Sequence, residues 1–117
     1  MKNNNFIDSF KYAFQGIYTA IKNERNMKVH VLATVIVTIM GFIFNISGYE
    51  WIMCLLCFGL VISLEMINTA IEAISNVCAT SFNPQIKVAK DVAAGAVLVS
   101  AIVSAIIGFI IFLPKIF

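Results

Sequence analysis

Residues 51–64 read WIMCLLCFGLVISL and residues 65–72 read EMINTAIE. The first segment has no charge, and the second sets Glu65, Asn68 and Glu72 directly on its end. Together they are long enough for a membrane helix, since a hydrocarbon core about 30 Å thick takes about 20 apolar residues to cross. At about 100° per residue, positions 65, 68, 72 and 76 fall in one narrow stripe, so Glu65, Asn68, Glu72 and Asn76 project the same way. With Trp51 at the outer interface, a rise of about 1.5 Å per residue puts Glu65 roughly 21 Å in and Glu72 roughly 31 Å in. The segment reads as a spanning helix with a polar face that starts inside the inner leaflet and ends near the cytoplasmic surface.

The rest of the chain agrees with a membrane protein. Of 117 residues, 61% are hydrophobic and 12% charged, where soluble domains carry about a quarter charged. Three apolar stretches nearly fill it, from about Val29 to Ile46, from Trp51 into the 70s, and from about Val92 to Leu113. The expected division of the single domain, residues 1–117, is a surface helix within 1–28 and helices containing the spans within 29–48, 51–80 and 91–113. The fold class is all-α, with three transmembrane helices behind an N-terminal amphipathic helix. The beginning MKNNNFIDSFKYAF lacks the early apolar core of a signal peptide, so the first span is expected to remain. Lys2, Lys11, Lys22, Arg25 and Lys28 precede the first span, Lys87 and Lys90 follow the second, and the SGYE connection has no basic residue. The positive-inside rule then puts the N-terminus and the second connection in the cytoplasm. A net charge of +2, spread beside spans, favours a membrane surface over nucleic acid.

Within this frame most features read as structural. Phe6, Phe10, Ala13, Phe14, Ile17 and Ile21 recur at helical spacing with Lys11 and Lys22 opposite, the pattern of a helix lying in the interface. Gly48, Asn45 and Ser47 mark the outer turn, and Asn83-Pro84 is turn chemistry expected to end the second span. Ala96, Ser100, Ser104 and Gly108 make a ladder of small residues suited to close helix packing in lipid. Cys54, Cys57 and Cys78 read as packing residues rather than metal ligands. Asp8 and Glu50 read as solvated, and His30 as a packing or interface residue.

The polar stripe does not reduce to packing. A carboxylate at the depth of Glu65 costs a few kcal/mol or more and marks a functional site by default. The alternative is an interhelical clamp with a protonated Glu, and three aligned polar groups favour function over it. Glu24, Glu72, Lys90 and Asp91 all belong on the cytoplasmic side, where ATP and magnesium are available. Taken singly, each reads as a solvated charge, a snorkelling lysine or a helix N-terminal acid. Together, carboxylate oxygens suit Mg2+ on a nucleotide, and a lysine suits phosphate oxygens. Phosphoryl transfer also needs a group that orients or deprotonates the acceptor hydroxyl, and Glu65 is placed to meet a hydroxyl presented from the lipid.

Three segments resemble the prokaryotic diacylglycerol kinase and undecaprenol kinase family of small membrane lipid kinases: Asn23-Glu24, the ExxNTAIE of Glu65 to Glu72, and AKDVAAGAV from Ala89 to Val97. The likeness runs from SFKYAFQGI at the N-terminus to the third span. It implies a homotrimer in a bacterial cell membrane with active sites shared between protomers. It further implies that Glu24 and Glu72 hold the metal on ATP and that Glu65 is the catalytic acid/base. Tyr12, Lys90, Asp91 and the connection Ser81, Phe82 and Asn83 would lie against the nucleotide. Asn68 would support the site, and Ala94 would lie in the lipid groove. Asn76 stands where the family usually has Asp, Ser81-Phe82-Asn83 where it has Glu-Tyr-His, and Asn5 where some members have Arg. The expected activity is ATP-dependent phosphorylation of undecaprenol, with diacylglycerol as the alternative. A proton-coupled exporter built on one membrane carboxylate, and a catalytically inactive scaffold, are the readings from other classes.

Overall fold

The computed structural model describes residues 5–78 and 81–117; Lys2 of the orientation argument, and residues 79–80 at the expected end of the second span, lie outside them. Four helices follow one another, α1 (Phe6–Asn23), α2 (Arg25–Ile43), α3 (Gly48–Cys78) and α4 (Pro84–Ile116). The last three are each long and apolar enough to cross a membrane.

Local chemistry sets the bounds. The side chain of Asn5 accepts a hydrogen bond from the Asp8 N–H at 2.8 Å and caps α1. The helix breaks at Glu24, whose backbone is extended and whose N–H donates to the Ala20 carbonyl. The expected surface segment 1–28 is therefore shorter as a helix, and α2 takes its last charged residues, Arg25 and Lys28, into its own first turn. Asn83 Oδ1 accepts from the N–H groups of Gln85 and Ile86 at 2.9 and 3.2 Å, with Pro84 at the first helical position. That cap starts α4 seven residues before the expected 91, because a proline lacking an N–H costs nothing where the helix has no partner for one. At 31 and 33 residues, α3 and α4 run about 46 and 50 Å, so each carries turns beyond the hydrocarbon core.

α3 packs along α4 over most of its length and along α2 for less; α1 lies on α2 and α3, while the backbones of α2 and α4 stay apart among the described residues, with Val37 and Met40 of α2 packing on the cluster that includes Ile111 and Phe112. The buried cluster is Ile46, Cys54, Ile111 and Phe112, flanked by Met40, Trp51 and Phe58, at the end away from the polar stripe. There Asn45 takes a left-handed backbone, φ 52°, and a side chain added at Gly41 would meet the Trp51 ring at 2.6 Å. Ser47 and Glu50 cap each other reciprocally, the Ser47 N–H donating to Glu50 Oε1 at 2.9 Å and the Glu50 N–H to Ser47 Oγ at 3.2 Å. Glu50 also accepts from Lys115 Nζ at 2.9 Å. It is a half-buried tie between α3 and α4 and not the solvated charge read from the sequence.

Of the small-residue ladder, Ser100 is buried and Ser104 and Gly108 are half-buried, as close packing expects. A step of four residues overshoots a helical turn by about 40°, so the row drifts and Ala96 faces outward. The buried row runs instead through Ala93, Val97, Ser100 and Ile111. Phe6, Phe10 and Phe14 of α1 are exposed, as are most aliphatic side chains of the three long helices, which lipid or a neighbouring chain must cover.

Candidate functional site

Along the stripe on α3, burial within the chain falls off toward the C-terminal end of the helix. Glu65 is 1% exposed and Asn68 5%; Glu72 is half-buried and Asn76 exposed. Asn68 Nδ2 donates to Glu72 Oε1 at 3.4 Å, a contact between residues four apart on one helical face. Asn68 Oδ1 and Glu65 Oε1 are buried with no hydrogen-bond partner. Such groups are rare in finished cores, so two in adjacent positions describe a site awaiting something polar. Glu65 Oε2 lies 4.0 Å from His30 Nε2 of α2.

The break between α1 and α2 brings Glu24 in. Glu24 and Glu72 are the two other carboxylates near enough for their charges to be felt at Glu65. The described residues contain no group of three metal-ligating side chains, so a cage made by the protein alone is not available. Two carboxylates beside a buried polar face are the donor set that Mg2+ takes when nucleotide phosphates supply further oxygens. The residues present fit a metal bound together with a nucleotide.

A second group of expected residues gathers at the start of α4. Ser81, Phe82, Asn83, Lys90 and Asp91 line one cleft of about 340 Å3, with Ile86 and Lys87. Lys87 Nζ pairs with Asp91 at 2.6 Å. Lys90 Nζ donates to Asn76 Oδ1 at 3.4 Å, which links this cleft to the last residue of the stripe. Tyr12 is half-buried on α1 and Ala94 is exposed on α4. Since α1 does not reach α4 among the described residues, a single chain does not bring Tyr12 to the cleft.

Two features escaped the sequence reading. Lys87 shares the cleft, and the i, i+4 spacing of Lys87 and Asp91 was the available signal. His30 faces Glu65, and nothing in either residue's own helix announces a partner 35 positions away. His30 also lies at one end of an apolar groove of about 410 Å3 that runs over α3 between α2 and α4, past Thr34, Phe58, Ser104 and Phe112.

Comparison with known proteins bears on what this arrangement does. Residues 11–112 match the family described as prokaryotic diacylglycerol kinase. An undecaprenol kinase of Bacillus subtilis is 45% identical over 112 residues, 96% of this chain and 91% of that protein. A diacylglycerol kinase of Synechocystis is 34% identical over 111 residues, 94% of this chain but 63% of that relative's length.

Proposed function

Given that the chain belongs to the prokaryotic diacylglycerol kinase family, a family of membrane lipid kinases using ATP, we propose that it phosphorylates undecaprenol, with Glu65 as the base and Mg2+ as the metal. The observation that carries this is the buried, unpartnered Oε1 of Glu65 on the same helical face as Glu72, about 10 Å nearer the polar end. A carboxylate kept at that depth has a free acceptor for a hydroxyl arriving from lipid.

Glu24 and Glu72 would hold the metal, which when bound supplies charge neutralisation at the phosphates. Lys90 and Lys87 bring positive charge to the cleft that Ser81, Phe82 and Asn83 wall, where the rest of the nucleotide has room. Glu65 takes the proton of the acceptor hydroxyl as its oxygen attacks the γ-phosphorus in line. Asn68 steadies Glu72 through its amide. The nucleotide side faces the cytoplasm, consistent with the basic residues at that end. A homotrimer completes the site, because Tyr12 and the α4 cleft lie apart within one chain.

The choice of undecaprenol is supported by the name and 45% identity of the Bacillus relative; diacylglycerol is the second reading, favoured by the family's description. The test is the purified protein in lipid bilayers with Mg-ATP and each alcohol offered separately. Transfer to undecaprenol at the higher kcat/KM is expected. Higher kcat/KM with diacylglycerol reverses the preference, and transfer to neither removes the kinase reading.

A further inference from the structure

His30 is the chain's single histidine, and the reaction as described gives it no part. Its side chain is 20% exposed, with Nε2 4.0 Å from Oε2 of Glu65. Its carbonyl accepts from the Thr34 hydroxyl at 2.9 Å, within an unbroken stretch of α2. The ring also borders the apolar groove, so it stands between the buried carboxylate and the space open to lipid. No side chain among the described residues hydrogen-bonds to the Glu65 carboxylate: Oε1 is an orphan, the Thr69 hydroxyl donates to the Glu65 backbone carbonyl, and the nearby Asn68 amide is turned to Glu72. A carboxylate with neither oxygen held can swing about its torsions, and a base must be fixed to be useful. A separation of 4.0 Å exceeds a hydrogen bond, but such contacts commonly tighten only when a site is loaded. Closing it takes about 1 Å.

We propose that His30 is the positioning residue of Glu65: in the loaded site its Nε2–H donates to Oε2 and leaves Oε1 aimed at the acceptor hydroxyl. This rests on the reading of Glu65 as the base. The step balances without a further reagent. The hydroxyl O–H bond breaks and its proton goes to Oε1; the oxygen bonds to the γ-phosphorus; the P–O bond to ADP breaks with its electron pair left on ADP. His30 keeps its proton and makes no bond to substrate. Across the groove α3 presents the Cys54 and Cys57 thiols and α4 the Ser104 hydroxyl, and the other carboxylates acting on Glu65 are Glu24 and Glu72. None of these is a fixed donor that would duplicate the imidazole.

The test uses the full chain in bilayers with Mg-ATP and whichever alcohol it turns over, comparing His30→Ala, His30→Gln and Glu65→Gln. With His30→Ala, kcat is expected to fall by up to about 100-fold, the loss that a 1 Å misplacement can cause, with KM for Mg-ATP within about twofold of wild type. His30→Gln keeps an N–H donor and restores most of the rate. The ring nitrogens of 15N-labelled His30, a single unambiguous signal set, shift in Glu65→Gln and stay unchanged in Ser75→Ala. Wild-type kcat in His30→Ala, beside an inactive Glu65→Gln, overturns the role of His30 and leaves Glu65 as the base. Wild-type turnover in Glu65→Gln overturns both. If His30→Ala does not fold, the nitrogen signals decide, and their failure to move in Glu65→Gln overturns the pairing.

Discussion

Glu65 shows how much a membrane helix concedes to chemistry. A buried carboxylate without partners lowers stability, because burying a polar group that makes no hydrogen bond costs free energy that an apolar side chain of similar size does not. Glu65→Leu is accordingly expected to raise thermal stability while removing phosphate transfer; a fall in stability would mark Glu65 as a structural clamp. Glu72→Gln loses a carboxylate proposed to hold the metal but keeps an acceptor for the Asn68 amide. It should leave the fold intact and cut Mg-dependent turnover by about 100-fold or more, in line with the loss of a group that acts on transition-state charge. The stripe itself was legible, since one helix and its period set Glu65, Asn68, Glu72 and Asn76 in order on one face, and their exposure within the chain rises along it. The proximity of His30 was not, because periodicity relates residues on one helix and is silent about which face of α2 turns toward α3.

At the scale of elements, one pair of residues does more than its sequence reading. Asn83-Pro84 reads from sequence as the turn that ends the second span, and in the structure it is also the cap and first residue of α4. The cap holds Lys87, Lys90 and Asp91 in regular helix beside residues 81–83. Asn83→Ala should cost about 1 kcal/mol and raise KM for ATP several-fold with kcat little changed, checked by melting and steady-state kinetics. Gly41 carried no readable signal either, since the constraint is the Trp51 ring against it and not a backbone angle. Gly41→Ala gains helix propensity of about 1 kcal/mol but must displace that ring, and overpacking of this kind costs about 1–3 kcal/mol. A net loss of stability is expected, reversed in the double variant with Trp51→Leu.

For the molecule as a whole, the number of spans and the polar end were readable from composition and charge, whereas the assembly was not. The chain measures 53 × 39 × 20 Å, a slab about two helices thick that leaves long aliphatic faces open. In the proposed homotrimer, copies packed against those faces would bring α1 of one toward α4 of another, and cross-linking in native membranes should then give trimers. The sidedness has a direct check in Cys78, which is exposed where Cys54 is buried. A membrane-impermeant maleimide should label Cys78 in inverted vesicles and not in intact cells.

The Glu50–Lys115 pair and the cluster around Cys54 and Phe112 hold one end of the α3–α4 pair more firmly than the exposed contact of Lys90 with Asn76 holds the other, and would let the molecule work like a clothes-peg. The spring lies at the Ser47 end, where caps, ring contacts and the ion pair clamp α3 to α4, and the jaws carry Glu65, Glu72 and Lys90. Backbone amides of residues 51–58 and 107–112 should therefore exchange with solvent deuterium most slowly, and those of 72–78 and 84–91 sooner. If the nucleotide enters beside residues 81–83 as proposed, firm packing at the Ser47 end would let the other end adjust without the bundle coming apart.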